Sequence, residues 1–206
     1  PSGTSINDNH IKKILNLFKR KKLLVVIDEA YIDFSSKSSL IKYINNYKNL
    51  FIMRTFSKGF GSAGLRVGYI ISNAVNIKEV NKVKPLHNIN SIGLKFCSFL
   101  LKNKSLIKKN TLDVKHSKSL LYKYCKKKNL NYLVSDTNFV NIFFTEKESI
   151  KILNYLKNKK ILVRLRIYRT KKKKLFSIRI SLGQKKTLIL LLKHLSRYLE
   201  KNAIKK

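Results

Sequence analysis

The chain has 206 residues, enough for one large domain or two small ones, and its hydrophobic fraction of 44% is ordinary for a globular protein. Its 46 lysine and arginine residues against 10 aspartate and glutamate residues give a net charge of +36, which often indicates nucleic-acid binding. The basic residues are spread along the whole chain and form no separate tail. We therefore interpret the charge as the result of sequence drift at solvent-exposed positions, and we expect only nonspecific binding of nucleic acid.

The first half of the chain alternates between helical and strand patterns. The continuous apolar run LLVVIDEAY (23–31) is typical of a parallel strand that is buried on both faces. A glycine-rich loop at 59–64 precedes the last strand of this half. The predicted elements are helices over 7–20, 38–47 and 91–128, and strands over 23–31, 49–57 and 65–72.

The second half of the chain shows a different pattern of predicted strands and helices. It ends in a helix whose leucines form one stripe, and a basic turn joins its last two strands. The predicted elements are one or two strands within 131–145, strands over 161–168 and 174–183, and helices over 148–159 and 185–201. The alternation of helices and strands predicts an α/β protein with a smaller α+β unit after about residue 110.

Three of the ten acidic residues, Asp28, Glu29 and Asp33, fall within six positions at the end of the first predicted strand. A loop with a helix cap would explain them. However, burial of a carboxylate beside an apolar strand costs several kcal/mol unless a partner compensates the charge. The cationic ring nitrogen of a cofactor would be such a partner.

Lys58 lies among small residues, although most lysines of this chain are expected to be solvated. Thr55 and Ser57 offer hydroxyl groups, three nearby glycines allow close approach of the backbone, and Arg66 can bind a phosphate through two hydrogen bonds. A lysine beside such a phosphate site can form a Schiff base with an aldehyde. Phosphate, aldehyde and protonated ring nitrogen together describe pyridoxal 5′-phosphate.

The segment TFSKGFGSAGLRVGY resembles the lysine-bearing segment of fold-type I aminotransferases, and VIDEAYIDF resembles the strand end that carries their ring-binding residues. The combination is most similar to the histidinol-phosphate aminotransferase family. PSGT, KPLHNIN (84–90) and IRISLG (178–183) are similar to further segments of that family, in the same order. The resemblance implies a mostly parallel pyridoxal-phosphate-binding large domain, with residues 1–110 as its C-terminal part, and an α+β small domain at 111–206.

The resemblance also implies roles for individual residues. Asp28 would pair with the ring nitrogen of the cofactor, and Tyr31 would hydrogen-bond its ring hydroxyl. Lys58 would bind the aldehyde and move the proton, so these three residues are the catalytic ones. The implied cofactor-binding residues are Asp28, Tyr31, Thr55, Ser57, Lys58 and Arg66, with the phosphate held by Thr55, Ser57 and Arg66.

For the substrate, the resemblance implies that Arg179 binds an acidic group and that Arg164 is a second anion contact. Without the resemblance, Arg179 could equally be a strand-edge arginine that faces water. The implied reaction converts histidinol phosphate and 2-oxoglutarate into imidazole acetol phosphate and L-glutamate, in histidine biosynthesis. A threonine-phosphate decarboxylase or an aromatic amino-acid aminotransferase would share the cofactor residues, and an inactive fragment or a basic nucleic-acid-binding protein are further alternatives.

The remaining features concern location and assembly. Two distant cysteines and four scattered histidines predict neither a disulfide framework nor a metal site, and they suit the cytoplasm. The first residues do not have the apolar core of a signal peptide. Chains of the family are longer and form dimers, and the missing part lies before Pro1. We therefore expect a C-terminal portion of a homodimeric enzyme whose site lies at the subunit interface.

Overall fold

The structure is a computed structural model that describes residues 2–85, 89–171 and 173–203. Its contacts group these residues into two compact units. The first unit is Ser5–Thr111, and the second comprises residues 2–4 and 112–203. The assignment of residues 1–110 and 111–206 to a large and a small domain of the family stays a prediction.

A three-stranded sheet organises the first unit, in the order β1-β2-β3. Strand β1 is parallel to β2, and β3 is antiparallel to β2. The strands are β1 (Val25–Asp28), β2 (Leu50–Thr55) and β3 (Gly68–Ile71), and the helices are α1 (Asp8–Arg20), α2 (Ala74–Lys82), α3 (Ser91–Lys102) and the start of α4 (Lys104–Lys127). Short 3₁₀ turns span Ile32–Phe34, Leu40–Tyr43 and Ala63–Leu65.

One hydrophobic cluster of the first unit lies on one face of this sheet, and Phe56, Val67, Cys97 and Leu100 form another cluster. Ile11 and Leu15, four positions apart on α1, share a helix face and pack in one cluster with Leu50 and Ile52 of β2. On the other face, Val26 is 59% exposed. The prediction that the first strand is buried on both faces was therefore wrong for the described residues, because they provide no layer over Val26.

A buried ion pair joins the ends of β1 and β2. The Glu29 carboxylate, directly after β1, accepts hydrogen bonds from Arg54 Nη2 at 2.9 Å and Nε at 3.1 Å. It also accepts from the Ser39 hydroxyl at 2.8 Å and the Leu40 amide at 2.7 Å. Four hydrogen bonds thus compensate the burial of this carboxylate, and they connect the chain after β1 to β2 and to the segment that begins at Ser39.

The structure differs from the predicted elements of the first half in three places. Residues 38–47 contain only the 3₁₀ turn Leu40–Tyr43, whose start is bound by Glu29 through the Ser39 hydroxyl and the Leu40 amide. The predicted helix over 91–128 is broken at Asn103, whose amide and side chain both bond back to the end of α3. Helix α2 was not predicted. The family-like segment KPLHNIN contains residues 86–88, so His87 and Asn88 lie outside the described residues.

The second unit contains a four-stranded antiparallel sheet in the order β4-β5-β7-β6. Its strands are β4 (Asn131–Tyr132), β5 (Phe139–Phe144), β6 (Arg164–Arg169) and β7 (Lys174–Ser181), and its helices are the rest of α4, α5 (Glu146–Asn158) and α6 (Lys185–Ala203). Ile142, Ile178 and Ile180 are buried, and α5 contacts β5, β6 and β7. The opposite face carries Asn141, Ser177 and Arg179 together with Phe139 and Phe143. No helix within the described ranges is long and apolar enough to cross a membrane.

The buried ion pair predicts a large effect of one substitution. Arg54→Met leaves the Glu29 carboxylate buried without its cation, and we expect the free energy of unfolding to fall by about 3–5 kcal/mol. Lys82→Met is the matched control, because it removes the cation of the exposed pair with Glu79. It should change the free energy by less than about 0.5 kcal/mol. Urea unfolding of both variants checks this, and equal losses would contradict it.

Candidate active site

The six residues predicted to bind a cofactor all lie at one end of the three-stranded sheet. Because β1 and β2 are parallel, their carboxyl ends meet there, with Asp28 at the end of β1 and Thr55 at the end of β2. Tyr31 follows β1. Strand β3 runs the opposite way, so its first residues lie beside Thr55, and Arg66 comes just before them. Ser57 and Lys58 occupy the turn after β2.

Asp28 and Glu29 are neighbours with different environments. Glu29 is buried and paired with Arg54, whereas the Asp28 side chain is exposed and accepts a hydrogen bond from the Ala30 amide at 2.8 Å. The partner of the buried carboxylate is therefore an arginine of this chain, and the pairing of Asp28 with a cofactor nitrogen stays a prediction. Asp28 is left accessible to a ligand at the strand end.

Lys58 and Tyr31 are close to each other. The Lys58 ammonium lies over the Tyr31 ring, 5.4 Å from its centroid, and both side chains are half-buried. A cation at this distance from an aromatic face is attracted by the ring. The contact orients the lysine towards the strand end that carries Asp28.

The hydroxyl and arginine of the predicted phosphate site differ in what they can donate. The Thr55 hydroxyl donates to the Val67 carbonyl at 3.2 Å and accepts from the Ser57 amide at 3.0 Å, so its proton is used within the protein. Arg66 is exposed, and its backbone has a φ of 55° in the left-handed region. Such a conformation costs an arginine some strain, and here it ends the 3₁₀ turn Ala63–Leu65. Arg66 Nη1 donates to the Ala63 carbonyl at 3.2 Å, and a guanidinium has further N–H donors that can bind an anion, whereas the Thr55 hydroxyl has only one proton.

The turn that carries Lys58 is tightly packed. A Cβ atom on Gly59 would overlap the Asp33 carboxyl group, so any larger residue there requires the Asp33 side chain to shift. Burial raises the pKa of Asp33, an effect partly offset by Arg54 and added to by Glu29. The Phe56 and Phe60 rings pack on each other with centroids 4.6 Å apart. The turn is therefore held in one place from several sides.

A cavity of about 500 Å³ opens beside these groups within the first unit. Its polar lining comprises Glu29, Asp33, Arg54, Thr55, Tyr69, Lys108 and Thr111. Of the predicted cofactor residues only Thr55 lines it, so this cavity and the predicted cofactor site are different places. Sequence reasoning missed Arg54, although an arginine inside the apolar run LFIMRTF is a signal for a buried acidic partner.

The two arginines predicted to bind the substrate are neighbours in the second unit. Arg164 of β6 lies directly opposite Arg179 of β7 in the antiparallel pairing. The Arg179 guanidinium lies 3.6 Å above the centroid of the Phe139 ring, and its buried Nε has no hydrogen-bond partner among the described residues. Buried donors without a partner are uncommon in proteins, and Arg166 Nε of β6 also has none among the described residues. Arg164 and Arg179 are paired in register on neighbouring strands, and arginine side chains suit the binding of an anion.

Opposite Arg179 on its other side lies Asn141 of β5, which sequence reasoning also missed. Asn141 is buried, donates to the Ser2 carbonyl at 2.8 Å and accepts from the Ser177 hydroxyl at 3.2 Å. The Gly3 carbonyl accepts from the Asp136 amide at 2.8 Å. The family-like PSGT segment is thus attached to the second unit, beside the arginine pair.

Comparisons with known proteins agree on one family. A family model described as aminotransferase class I and II matches residues 1–195. The histidinol-phosphate aminotransferase of Buchnera aphidicola subsp. Cinara cedri is 38% identical over 168 residues, which are 80% of this chain and 47% of the relative. That of Christiangramia forsetii is 39% identical over 144 residues, 69% of this chain and 40% of the relative. The chain thus spans about half the length of the curated relatives it matches.

Solved structures support the same fold. The histidinol-phosphate aminotransferase of Clostridium acetobutylicum is 26% identical with a TM-score of 0.88, over 98% of this chain and 61% of that chain. The Sinorhizobium meliloti enzyme, solved in complex with pyridoxal-5′-phosphate, is 24% identical with a TM-score of 0.83, over 98% of this chain and 55% of that chain. These likenesses confirm the predicted fold class, a partial fold-type I α/β transferase.

The packing of the turn predicts unequal effects of two glycine substitutions. Gly59→Ala places a methyl group on the Asp33 side chain, and this overpacking should lower the free energy of unfolding by about 1–3 kcal/mol. Gly64→Ala is the control, because nothing lies within 4 Å of a Cβ atom there. It should shift stability by less than about 1 kcal/mol. Chemical denaturation measures both, and a neutral Gly59→Ala variant would refute the packing described.

The raised pKa of Asp33 predicts that replacement of its carboxyl group stabilises the protein, and that this gain depends on pH. Its pKa in the folded protein is raised from the ordinary value of 3.8, so above that pH the folded state bears the cost of ionising a half-buried carboxyl group. Asp33→Asn should therefore stabilise the protein at pH 7, and the gain should shrink as the pH falls towards the ordinary value. Unfolding curves of the variant and the parent at pH 4 and pH 7 check this. A gain that grows towards acid would show the opposite sign of shift.

Proposed function

The chain belongs to the aminotransferase class I and II family, and on that premise we propose that it forms part of a pyridoxal-phosphate-dependent aminotransferase. The proposed reaction converts histidinol phosphate and 2-oxoglutarate into imidazole acetol phosphate and L-glutamate. The observation that carries the proposal is the end of the three-stranded sheet, where Lys58 lies over Tyr31 beside the carboxyl end of β1. The named relatives support the choice of substrate.

The residues at this sheet end fit pyridoxal phosphate by their chemistry. An accessible carboxylate (Asp28), a phenol (Tyr31), an amine (Lys58), a hydroxyl (Ser57) and a guanidinium (Arg66) are the groups that its ring nitrogen, ring hydroxyl, aldehyde and phosphate require. The strained backbone of Arg66 and the tightly packed Gly59 support a functional constraint on this turn. When bound, the cofactor supplies an aldehyde that reacts with amines and a ring that withdraws electrons.

Each residue has a task in the proposed reaction. Asp28 would keep a proton on the ring nitrogen, since its exposed carboxylate can accept a charged hydrogen bond. Tyr31 would hydrogen-bond the ring hydroxyl, and its ring attracts the Lys58 amine. The Lys58 Nζ takes a proton from the substrate carbon and returns it, as a general base and then a general acid. Ser57 and Arg66 bind the phosphate, with Thr55 orienting the Ser57 backbone amide.

Arg179 and Arg164 are proposed to bind the anionic group of the substrates. A phosphate or carboxylate can accept two parallel hydrogen bonds from a guanidinium group. The unpaired Nε of Arg179 supports this role, because an anion would supply the acceptor it lacks. The Phe139 ring under the planar guanidinium helps to hold it in place.

We also propose that the protein is a homodimer and that it is located in the cytoplasm, as the family resemblance implies.

The alternative activity is the decarboxylation of threonine phosphate. The L-threonine-O-3-phosphate decarboxylase of Porphyromonas gingivalis has a TM-score of 0.77 at 21% identity, which is a likeness of fold alone. Relatives at 38% and 39% identity are aminotransferases, so transamination is favoured. The net charge of +36 is assigned no role beyond nonspecific attraction of polyanions.

The test is the rate at which the natural protein that contains these residues forms glutamate from histidinol phosphate and 2-oxoglutarate. Lys58→Ala should lower the rate at least about 100- to 10,000-fold, because it removes the group that moves the proton. Lys12→Ala, an exposed lysine of α1, is the control and should keep the parent rate. Full activity of Lys58→Ala would refute the assignment. Release of carbon dioxide from threonine phosphate, without glutamate formation, would move the chain to the decarboxylase class.

A further inference from the structure

One side chain from far along the sequence contacts the turn that carries Lys58. Asn110, on α4, donates from Nδ2 to the Gly59 carbonyl at 2.8 Å, and the same nitrogen lies 3.5 Å from the Lys58 carbonyl. Asn110 is half-buried and belongs to the same compact unit as the turn. The two carbonyls of the Lys58 and Gly59 residues thus face a single amide group.

The rest of the turn is held by its own backbone. The Gly61 amide donates to the Lys58 carbonyl at 3.0 Å, and the Ser62 amide donates to the Phe56 carbonyl at 3.0 Å. These bonds fix the shape of the turn, which also packs on Asp33 through Gly59. The Asn110 amide adds a hydrogen bond from a distant element, because it joins the turn to a helix that begins at Lys104.

We propose that Asn110 is a positioning residue for Lys58. A lysine side chain is long and flexible, so the place of its amine depends on where its Cα atom is fixed. A shift of about 1 Å in a reacting group can cost about 100-fold in rate. Asn110 restrains the backbone at that Cα atom, whereas the Tyr31 ring restrains the amine at the other end. The importance of this role for catalysis rests on the proposed function, but the restraint itself does not.

Asn110→Asp tests the restraint with the least change of shape. The variant has no Nδ2 donor, and it places a carboxylate oxygen against the Gly59 carbonyl. Asn103→Asp is the matched control, because Asn103 Nδ2 also donates to a backbone carbonyl, that of Phe99, at 2.8 Å in the same unit. Asn103→Asp makes the same change from an amide to a carboxylate, but at a side chain that donates to α3 and not to the turn.

The first measurement is hydrogen exchange of the Gly61 and Ser62 amides in the chain without cofactor. The loss of one hydrogen bond, with its net contribution of about 1 kcal/mol, should make these amides exchange about three- to tenfold faster in Asn110→Asp. The amides that pair β1 with β2 should keep the parent rate. Unchanged exchange at Gly61 and Ser62, or the same acceleration in Asn103→Asp, would overturn the inference.

The second measurement is the rate at which acetic anhydride modifies Lys58 relative to the exposed Lys82, followed by peptide mass spectrometry. A half-buried amine released from its place should react faster, so the ratio should rise in Asn110→Asp and stay at the parent value in Asn103→Asp. A loosened turn with an unchanged ratio would overturn the positioning role and leave Asn110 as a stabiliser of the loop. Neither readout uses the cofactor, so both remain decisive if the proposed function fails.

Discussion

The ion pair between Glu29 and Arg54 is the constraint on which the candidate site depends. Glu29 is buried and Arg54 is partly buried, and the pair crosses from the end of β1 to β2, the two strands that carry the proposed cofactor residues. Removal of Arg54 would leave the buried Glu29 charge without compensation, so the pair tolerates little displacement. The position of Asp28 relative to the Lys58 turn is fixed as a consequence. The site therefore depends on a contact that takes no part in the chemistry itself.

Around this contact, neighbouring residues divide the work between structure and chemistry. Glu29 is buried and structural, while Asp28 beside it remains accessible. The Thr55 hydroxyl stays within the protein, whereas the Arg66 guanidinium faces solvent on a strained backbone. In the second unit, Asn141 is fully hydrogen-bonded next to Arg179, whose Nε has no partner among the described residues. In each pair the satisfied group supports the available one.

The sequence allowed prediction of what depends on local pattern. The strands that end at Asp28 and Thr55 and the turn around Lys58 could be placed because apolar runs and glycines define them directly. Contacts between distant residues could not: Arg54 lies 25 positions from Glu29, and Asn110 lies 51 positions from Gly59. The predicted helix at 38–47 was wrong as well, and the hydrogen bonds from the start of that segment to Glu29 are again contacts that the local pattern does not contain. Periodicity contains no information on such partners.

The central claim is that Lys58, among the many lysines of this chain, is the one that binds pyridoxal phosphate. The most direct measurement is reduction with borohydride after incubation with stoichiometric pyridoxal phosphate, followed by peptide mapping of the modified lysines. If Lys58 binds the cofactor, we expect an absorbance band in the visible range before reduction, and label concentrated on the peptide that contains Lys58. Label spread over many lysines in proportion to their exposure would contradict it.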